Sequence, residues 1–116
     1  MNNTVTIDLI GENSVNIGSD YSVRIRLCDA PDLTEFTGSC HIRANNLSTA
    51  VIIISPIVNV LTKDLFELKI PYTDFTELVV AGNYVYDVLF LKTSDTTDRF
   101  FPVGGKVAFI QRITRL

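Results

Sequence analysis

The sequence of 116 residues contains no tryptophan, one histidine and two cysteines. Two cysteines are too few for the dense disulfide framework of many small secreted domains. We expect Cys28 and Cys40 to be buried free thiols, although both lie in predicted strands and a bridge between them stays open. A single histidine cannot form a metal cluster or a dyad by itself, so we expect His41 to face solvent or to be hydrogen-bonded.

Long apolar runs and clusters of basic residues are also missing. The longest apolar run, residues 51–61, is interrupted by Ser55, Pro56 and Asn59 and is too short to cross a bilayer. Thirteen acidic and ten scattered basic residues give a net charge of -3, which argues against a nucleic-acid-binding surface. Residues 1–4 show no secretory signal, so we expect a cytoplasmic protein. Neither nucleic acid nor a membrane is an expected partner.

The composition predicts one folded domain over residues 1–116. Apolar residues make up 47% and charged residues 20% of the chain, which argues against disorder. The length allows roughly two thirds of the unfolded surface to be buried. The positive mean hydropathy suggests more apolar surface than a free monomer needs, and an oligomeric interface would absorb the excess.

Apolar and polar residues alternate along most of the chain, which is the pattern of half-buried strands. Turn-forming residues separate the predicted strands, which cover residues 4–9, 21–28, 36–44, 50–55, 57–61, 66–70, 84–91, 99–101 and 107–114. The alternation predicts that Arg24 and Arg26 face water, and Gly104-Gly105 predicts a turn. About seven to nine short strands indicate an all-β, antiparallel immunoglobulin-like sandwich, with at most one short helical turn near Asp74.

One stretch specifies this architecture more closely than the others. Gly82 precedes Tyr84 at the start of a late strand, where aromatic and aliphatic residues alternate. In a tyrosine corner, such a ring lies in the sandwich core and its hydroxyl bonds to the backbone a few residues upstream. We therefore expect Gly82 and Tyr84 to form a structural corner.

Residues 50–61 combine high β-propensity with no charge. The simpler interpretation is that this stretch is central in its sheet, with residues 50–55 as a fully buried strand. The alternative is a strand that becomes buried only on assembly with another subunit, since an exposed strand of this kind invites edge-to-edge association. The alternative makes four side chains a candidate assembly surface: Ile52, Ile54, Ile57 and Val58.

Chemical motifs are weak throughout, and we predict no enzyme, no cofactor and no catalytic, cofactor-binding or metal-binding residue. Asp95 and Asp98 could supply oxygen ligands to calcium, but their spacing lacks the pattern of a calcium loop and fits a solvated hairpin tip. The cluster of Asp29, Asp32 and Glu35 suits turns or capping. Cys40 adjoins His41, so in a strand the two side chains point to opposite faces.

Several motifs resemble, in this order, small β-sandwich domains of tailed-bacteriophage tail and baseplate proteins, including the N-terminal domain of upper baseplate proteins. They are Asp32-Leu33-Thr34 with Phe36-Thr37, His41-Ile42-Arg43, Phe66-Glu67-Leu68-Lys69-Ile70-Pro71, Gly82-Asn83-Tyr84-Val85-Tyr86-Asp87-Val88, Gly105-Lys106-Val107-Ala108-Phe109 and Ile113-Thr114. The chain departs from the pattern at Glu35, where many relatives have glycine, and in having no receptor-binding region after the last strand.

The resemblance implies a virion structural protein of a phage or prophage, assembled in the host cytoplasm. Its expected role is a tail, baseplate or fibre-attachment adaptor that binds other virion proteins and itself, through surface complementarity and without a cofactor. Two alternatives stay open: a capsid decoration protein, or a free immunoglobulin-like adhesion or carbohydrate-binding module. Carbohydrate binding is possible, but no aromatic platform supports it.

Overall fold

The computed structural model describes residues 5–28, 30–45, 51–76 and 79–111. The strands of this part of the chain are β1 (Val5–Thr6), β2 (Val15–Asn16), β3 (Tyr21–Arg26), β4 (Phe36–Arg43), β5 (Ile52–Ile54), β6 (Ile57–Thr62), β7 (Leu65–Ile70), β8 (Gly82–Lys92) and β9 (Asp95–Ile110). Single 3₁₀ turns lie at Gly11–Asn13, Leu33–Glu35 and Tyr72–Asp74. The last of these is close to the predicted helical turn, although it begins after Pro71 and not at Asp74.

The strands form two sheets with the immunoglobulin arrangement. The larger sheet has the order β1-β9-β8-β4-β5, with β2 also paired to β9, and the smaller sheet has the order β3-β7-β6. Strands β1 and β2 run parallel to β9, and the other pairs are antiparallel. The smaller sheet corresponds to strands B, E and D, and β9-β8-β4-β5 corresponds to strands G, F, C and C′. The predicted all-β sandwich is confirmed.

The core lies between the two sheets and consists of the apolar side chains that point inward from the alternating strands. Phe66 of the smaller sheet meets Phe90 of the larger one edge-to-face, with ring centroids 5.2 Å apart. On the outer side of β3, the side chains of Arg24 and Arg26 are 67% and 61% exposed, as predicted. The period of two therefore assigns inner and outer faces correctly along β3.

Tyr84 makes the hydrogen bond that defines a tyrosine corner. Its hydroxyl donates to the Val80 carbonyl oxygen at 2.7 Å, and its ring packs on Phe109 with centroids 4.9 Å apart. Gly82 has a φ of +154°, a backbone conformation that other residues rarely adopt. The glycine therefore allows the turn by which the chain enters β8.

The prediction of a fully buried, central strand at residues 50–55 was wrong. Within the described residues, β5 is a three-residue strand at the edge of the larger sheet, and Ile52 is 42% exposed. Pro56, which has no backbone donor, lies between β5 and β6 where the chain passes from one sheet to the other. An uncharged apolar run fits an edge as well as a centre, so composition did not separate the two.

The predicted turn at Gly104-Gly105 was also wrong, because β9 continues through both glycines. A Cβ atom at Gly105 would lie 2.5 Å from the carbonyl oxygen of Ile7. The N-terminal segment crosses here: the Ile7 amide donates to Gly104 O at 3.0 Å, and the Tyr86 hydroxyl donates to Ile7 O at 2.5 Å. Glycine is therefore required at position 105 for close packing, not for a turn.

Both cysteines are free, but only one is buried. Cys40 is 2% exposed in the core, whereas Cys28 is exposed. Burial was expected from the general preference of cysteine for protein interiors. Cys28 instead lies beyond the end of β3 and follows the outward-facing positions of Arg24 and Arg26. The expectation of two buried thiols was wrong for Cys28.

Candidate interaction surfaces

The four residues predicted as an assembly surface differ in their exposure to solvent. Ile52 and Ile57 are 42% and 48% exposed. Ile54 is buried, and Val58 is half-buried against the core. Ile57 and Val58 are neighbours in β6 and point to opposite faces. Ile52 and Ile54 are two residues apart in β5, and the register with β4 shifts between their partners, so only Ile54 reaches the core. Ile54 and Val58 therefore contribute to the fold, while Ile52 and Ile57 are free to contact a partner.

The exposed pair belongs to a longer apolar edge, which we call the β5–β6 edge. It comprises residues 51–62, which are Val51, β5, the two connecting residues and β6. Besides Ile52 and Ile57 it exposes Val51 and Leu61, at 74% and 41%. Sequence reasoning missed Leu61, although the alternation of residues 57, 59 and 61 carried the signal. Because β5 and β6 are the outer strands of their sheets at this side, both sheets end in uncharged strands here.

The opposite edge of the smaller sheet is charged. Strand β3 carries Arg24, whose Nε lies 3.6 Å from Glu67 Oε2. It also carries Arg26, whose Nη1 donates to Asp64 Oδ1 at 2.9 Å. Charged side chains on an edge strand oppose pairing with another chain. The β5–β6 edge has no such residue between positions 51 and 62.

A second concave surface lies on the outer face of the larger sheet. It is a groove of about 850 Å³ between the N-terminal segment and β4, and its acidic, basic and histidine lining residues are Asp8, His41, Arg43, Asp87 and Lys106. Arg43 Nη1 lies 3.8 Å from Asp87 Oδ1. Buried Arg43 Nε has no hydrogen-bond partner in the part of the chain that the structure describes.

The arrangement around this groove offers no activated nucleophile in the described residues. His41 lines the groove, but its neighbour Cys40 points into the core, where burial raises the pKa of the thiol and the adjacent Asp87 charge adds to the effect. A protonated thiol is a poor nucleophile. Cys28 lines a different cavity, beside Val5 and Phe100, so the structure does not bring it to His41.

The acidic residues of the polar turns make hydrogen bonds within those turns. At the β8–β9 hairpin, Asp95 Oδ1 accepts from Thr97 Oγ1 at 2.6 Å and Thr97 N at 3.1 Å, and these hydrogen bonds hold the carboxyl pKa below its ordinary value. Asp32 accepts the equivalent pair from Thr34 and caps the 3₁₀ turn that follows. Asp29 lies outside the described residues. Across residues 5–28, 30–45, 51–76 and 79–111, no group of three acidic, histidine or cysteine side chains could hold a metal ion.

The described segments also contain no helix with the length and apolarity to span a bilayer.

Comparison with known proteins bears on the fold. No protein-family model and no curated protein matches the chain. A solved structure of an uncharacterized protein from Bacillus anthracis str. Ames is similar, with a TM-score of 0.50 and 13% identity over 95% of this chain and 86% of that one. At this identity the likeness shows the fold alone.

A second similar structure is that of the extracellular domains of the voltage-gated sodium channel beta4 subunit, described as parallel homodimers that explain its role in cell-cell adhesion. It has a TM-score of 0.37 and 12% identity over 95% of this chain and 93% of that one. The strand order, rather than either likeness, identifies the present chain as an immunoglobulin-like β-sandwich module.

Proposed function

We propose that this chain is a structural protein of a bacteriophage or prophage particle, a tail, baseplate or fibre-attachment adaptor assembled in the host cytoplasm. It acts by binding other virion proteins and further copies of itself, without catalysis or a cofactor. The ordered motifs that resemble phage tail and baseplate domains support the particle context. The observation that carries the assembly role is the uncharged, exposed β5–β6 edge.

The size of the apolar contact indicates how this edge would be used. Four of its aliphatic side chains are 41% to 74% exposed. Completing their burial would contribute on the order of 1 kcal/mol each, since burying a whole aliphatic side chain contributes about 1.5–3 kcal/mol. That sum is comparable only to the lower estimates of the cost of association, about 4 kcal/mol. We therefore propose that main-chain pairing or repeated, symmetric contacts supplement the apolar contact.

Particle composition tests this proposal. Particles are purified on a gradient from a lysate of the source host, and quantitative mass spectrometry compares the copy number of this chain with that of the major capsid protein. The proposal predicts a constant, low ratio that survives a second gradient. Absence from the particles would contradict it, and a copy number near that of the capsid protein would identify a decoration protein instead of a tail adaptor.

The groove on the larger sheet favours a second candidate function. Its lining combines both charge signs with Leu89 and the 45% exposed Phe101, a mixture that suits a polar ligand such as a carbohydrate. A free immunoglobulin-like adhesion or carbohydrate-binding module would use this face. Binding to a glycan array that is lost in Asp87→Ala, together with absence from particles, would favour this function over the structural one.

A further inference from the structure

We propose that β6 pairs with β6 of a second copy of this chain, antiparallel and about a two-fold axis at Asn59. This inference rests on the proposed assembly role and names the partner of the β5–β6 edge. It joins the two smaller sheets into one continuous sheet with the order β3-β7-β6-β6-β7-β3. Three features of β6 lead to it: its free edge, its symmetric sequence and its two ends.

The first feature is the free edge of β6. Among the described strands, β6 is bonded to β7 on one side only, with Ile57 opposite Lys69 and Asn59 opposite Glu67. The main-chain groups on the other side of an edge strand are available to another chain. No charged side chain lies in β6 to oppose pairing. The edge therefore has the properties of a strand that accepts a neighbour.

The second feature is the symmetry of the sequence Ile57-Val58-Asn59-Val60-Leu61. A two-fold axis at Asn59 places Ile57 opposite the second copy's Leu61, Val58 opposite its Val60, and Asn59 opposite its Asn59. The outward residues, Ile57, Asn59 and Leu61, are exposed, whereas Val58 and Val60 are half-buried against the core. Apolar residues thus meet apolar residues on both faces, as a self-complementary interface requires.

The third feature is the pair of irregularities that bound this segment. Pro56 precedes it and cannot donate to a ladder. A β-bulge lies at its other end, at Leu61, because the register with β7 shifts between Val60 and Thr62. These irregularities lie at the two ends of the segment that the symmetry matches, so they set the length of the ladder.

The other edges fit a second copy less well, and β1 and β2, at the far edge of the larger sheet, have only two residues each. Strand β5 has three residues and its pairing with β4 is interrupted by a register shift. Strand β3 carries Arg24 and Arg26, and two copies of β3 paired about a two-fold axis would bring these like charges together. Strand β6 is therefore the edge that suits self-pairing.

Cysteine cross-linking tests the register. In the background Cys28→Ser, which leaves only buried Cys40, we introduce Asn59→Cys, Ile57→Cys or Ile110→Cys and oxidise mildly. Directly opposed strand residues lie within the Cα separation that a disulfide spans. Asn59→Cys is therefore expected to give a covalent dimer. Copies of Ile57→Cys stand four residues apart in this register, roughly 13 Å, and are expected not to cross-link.

Ile110→Cys is the control for random collisions, since Ile110 is 45% exposed and Ile57 is 48% exposed. Adding Leu61→Cys to Ile57→Cys should restore the dimer, because these two positions face each other across the axis. The complete pattern supports the proposal. Equal cross-linking at positions 57, 59 and 110, or none at 59, overturns it.

The outcome is distinguishable from failure of the proposed function. A protein that is present in purified particles at a fixed ratio but gives no cross-link at position 59 assembles through another surface. That result overturns the β6 pairing and leaves the structural role intact. A cross-linked dimer that is absent from particles has the opposite meaning, since the pairing then holds and the role in the particle does not.

Discussion

Tyr84 is the residue on which the architecture depends most directly. Tyr84→Phe keeps the ring in the core and removes the hydroxyl that donates to Val80 O at 2.7 Å. We expect the free energy of unfolding to fall by about 1 kcal/mol, the usual net contribution of one hydrogen bond. Urea denaturation followed by circular dichroism measures the change.

Tyr72→Phe is the matched control, because Tyr72 is 60% exposed and its ring is not part of the core. We expect this substitution to leave the midpoint of unfolding nearly unchanged. Equal stability of both variants and the unaltered protein would mean that the corner hydrogen bond does not stabilise the fold.

The environment of Tyr21 predicts that the folded protein loses stability at alkaline pH. Burial raises its pKa from 10 to about 12, and its hydroxyl donates to Asn13 O at 2.7 Å. The folded state therefore holds this proton more tightly than the unfolded state does. The stabilisation is complete below pH 10 and is lost as the pH rises towards 12, because the unfolded chain ionises first. Burial also raises the pKa of Tyr86, so its ionisation destabilises the fold in alkali as that of Tyr21 does.

Thermal unfolding between neutral pH and pH 12 measures this dependence, and tyrosinate absorbance follows the ionisation. In Tyr21→Phe, the decrease in stability above pH 10 should be smaller than in the unaltered protein. A decrease of the same size in both proteins would rule out Tyr21 as its source.

At the scale of elements, the alternation of apolar and polar residues was sufficient to locate most strands. It located β3, β4 and β7, and it predicted which sides of β3 and β4 are buried, because one face of each strand packs on the core. It did not reveal that β5 lies at an edge, since an apolar run does not show whether a strand pairs with one neighbouring strand or with two. It misread Gly104-Gly105 because close approach and a turn both favour glycine.

The packing of the N-terminal segment on β9 gives a prediction for Gly105. Gly105→Ala would bring a methyl group against the carbonyl oxygen of Ile7 and displace the segment from β9. We expect a loss of about 1–3 kcal/mol, the range for overpacking. Gly104→Ala is the control, because its nearest contact would be 3.2 Å, to Tyr86 O, and its loss should be smaller.

Chemical denaturation compares the two variants, and amide hydrogen exchange of residues 5–9 reports whether the segment has left the sheet. Faster exchange there in Gly105→Ala than in Gly104→Ala is expected. The same exchange in both variants would show that the glycine is not needed for this contact.

At the scale of the whole molecule, the sequence located part of the candidate surface. It singled out residues 50–61, and Ile52 and Ile57 are exposed there. The alternation in β6 could have separated Ile57 from Val58. The sequence could not show that Ile52 is exposed while Ile54 is buried, because this depends on the position of β5 at the edge of its sheet. The groove was missed entirely, since its lining comes from segments as distant in sequence as Asp8 and Lys106, and only the paired sheet brings them together.

The central claim is that the uncharged β5–β6 edge is a surface for assembly, and sedimentation equilibrium over a range of concentrations tests it most directly. Ile57→Glu introduces a charge on this edge opposite Lys69, which favours the fold, and Ile110→Glu introduces the same charge at a similarly exposed isoleucine of β9. Reversible self-association of the unaltered protein and of Ile110→Glu, with Ile57→Glu monomeric, is the predicted result. A protein that stays monomeric at every concentration, or whose association is unaffected by Ile57→Glu, would contradict the account.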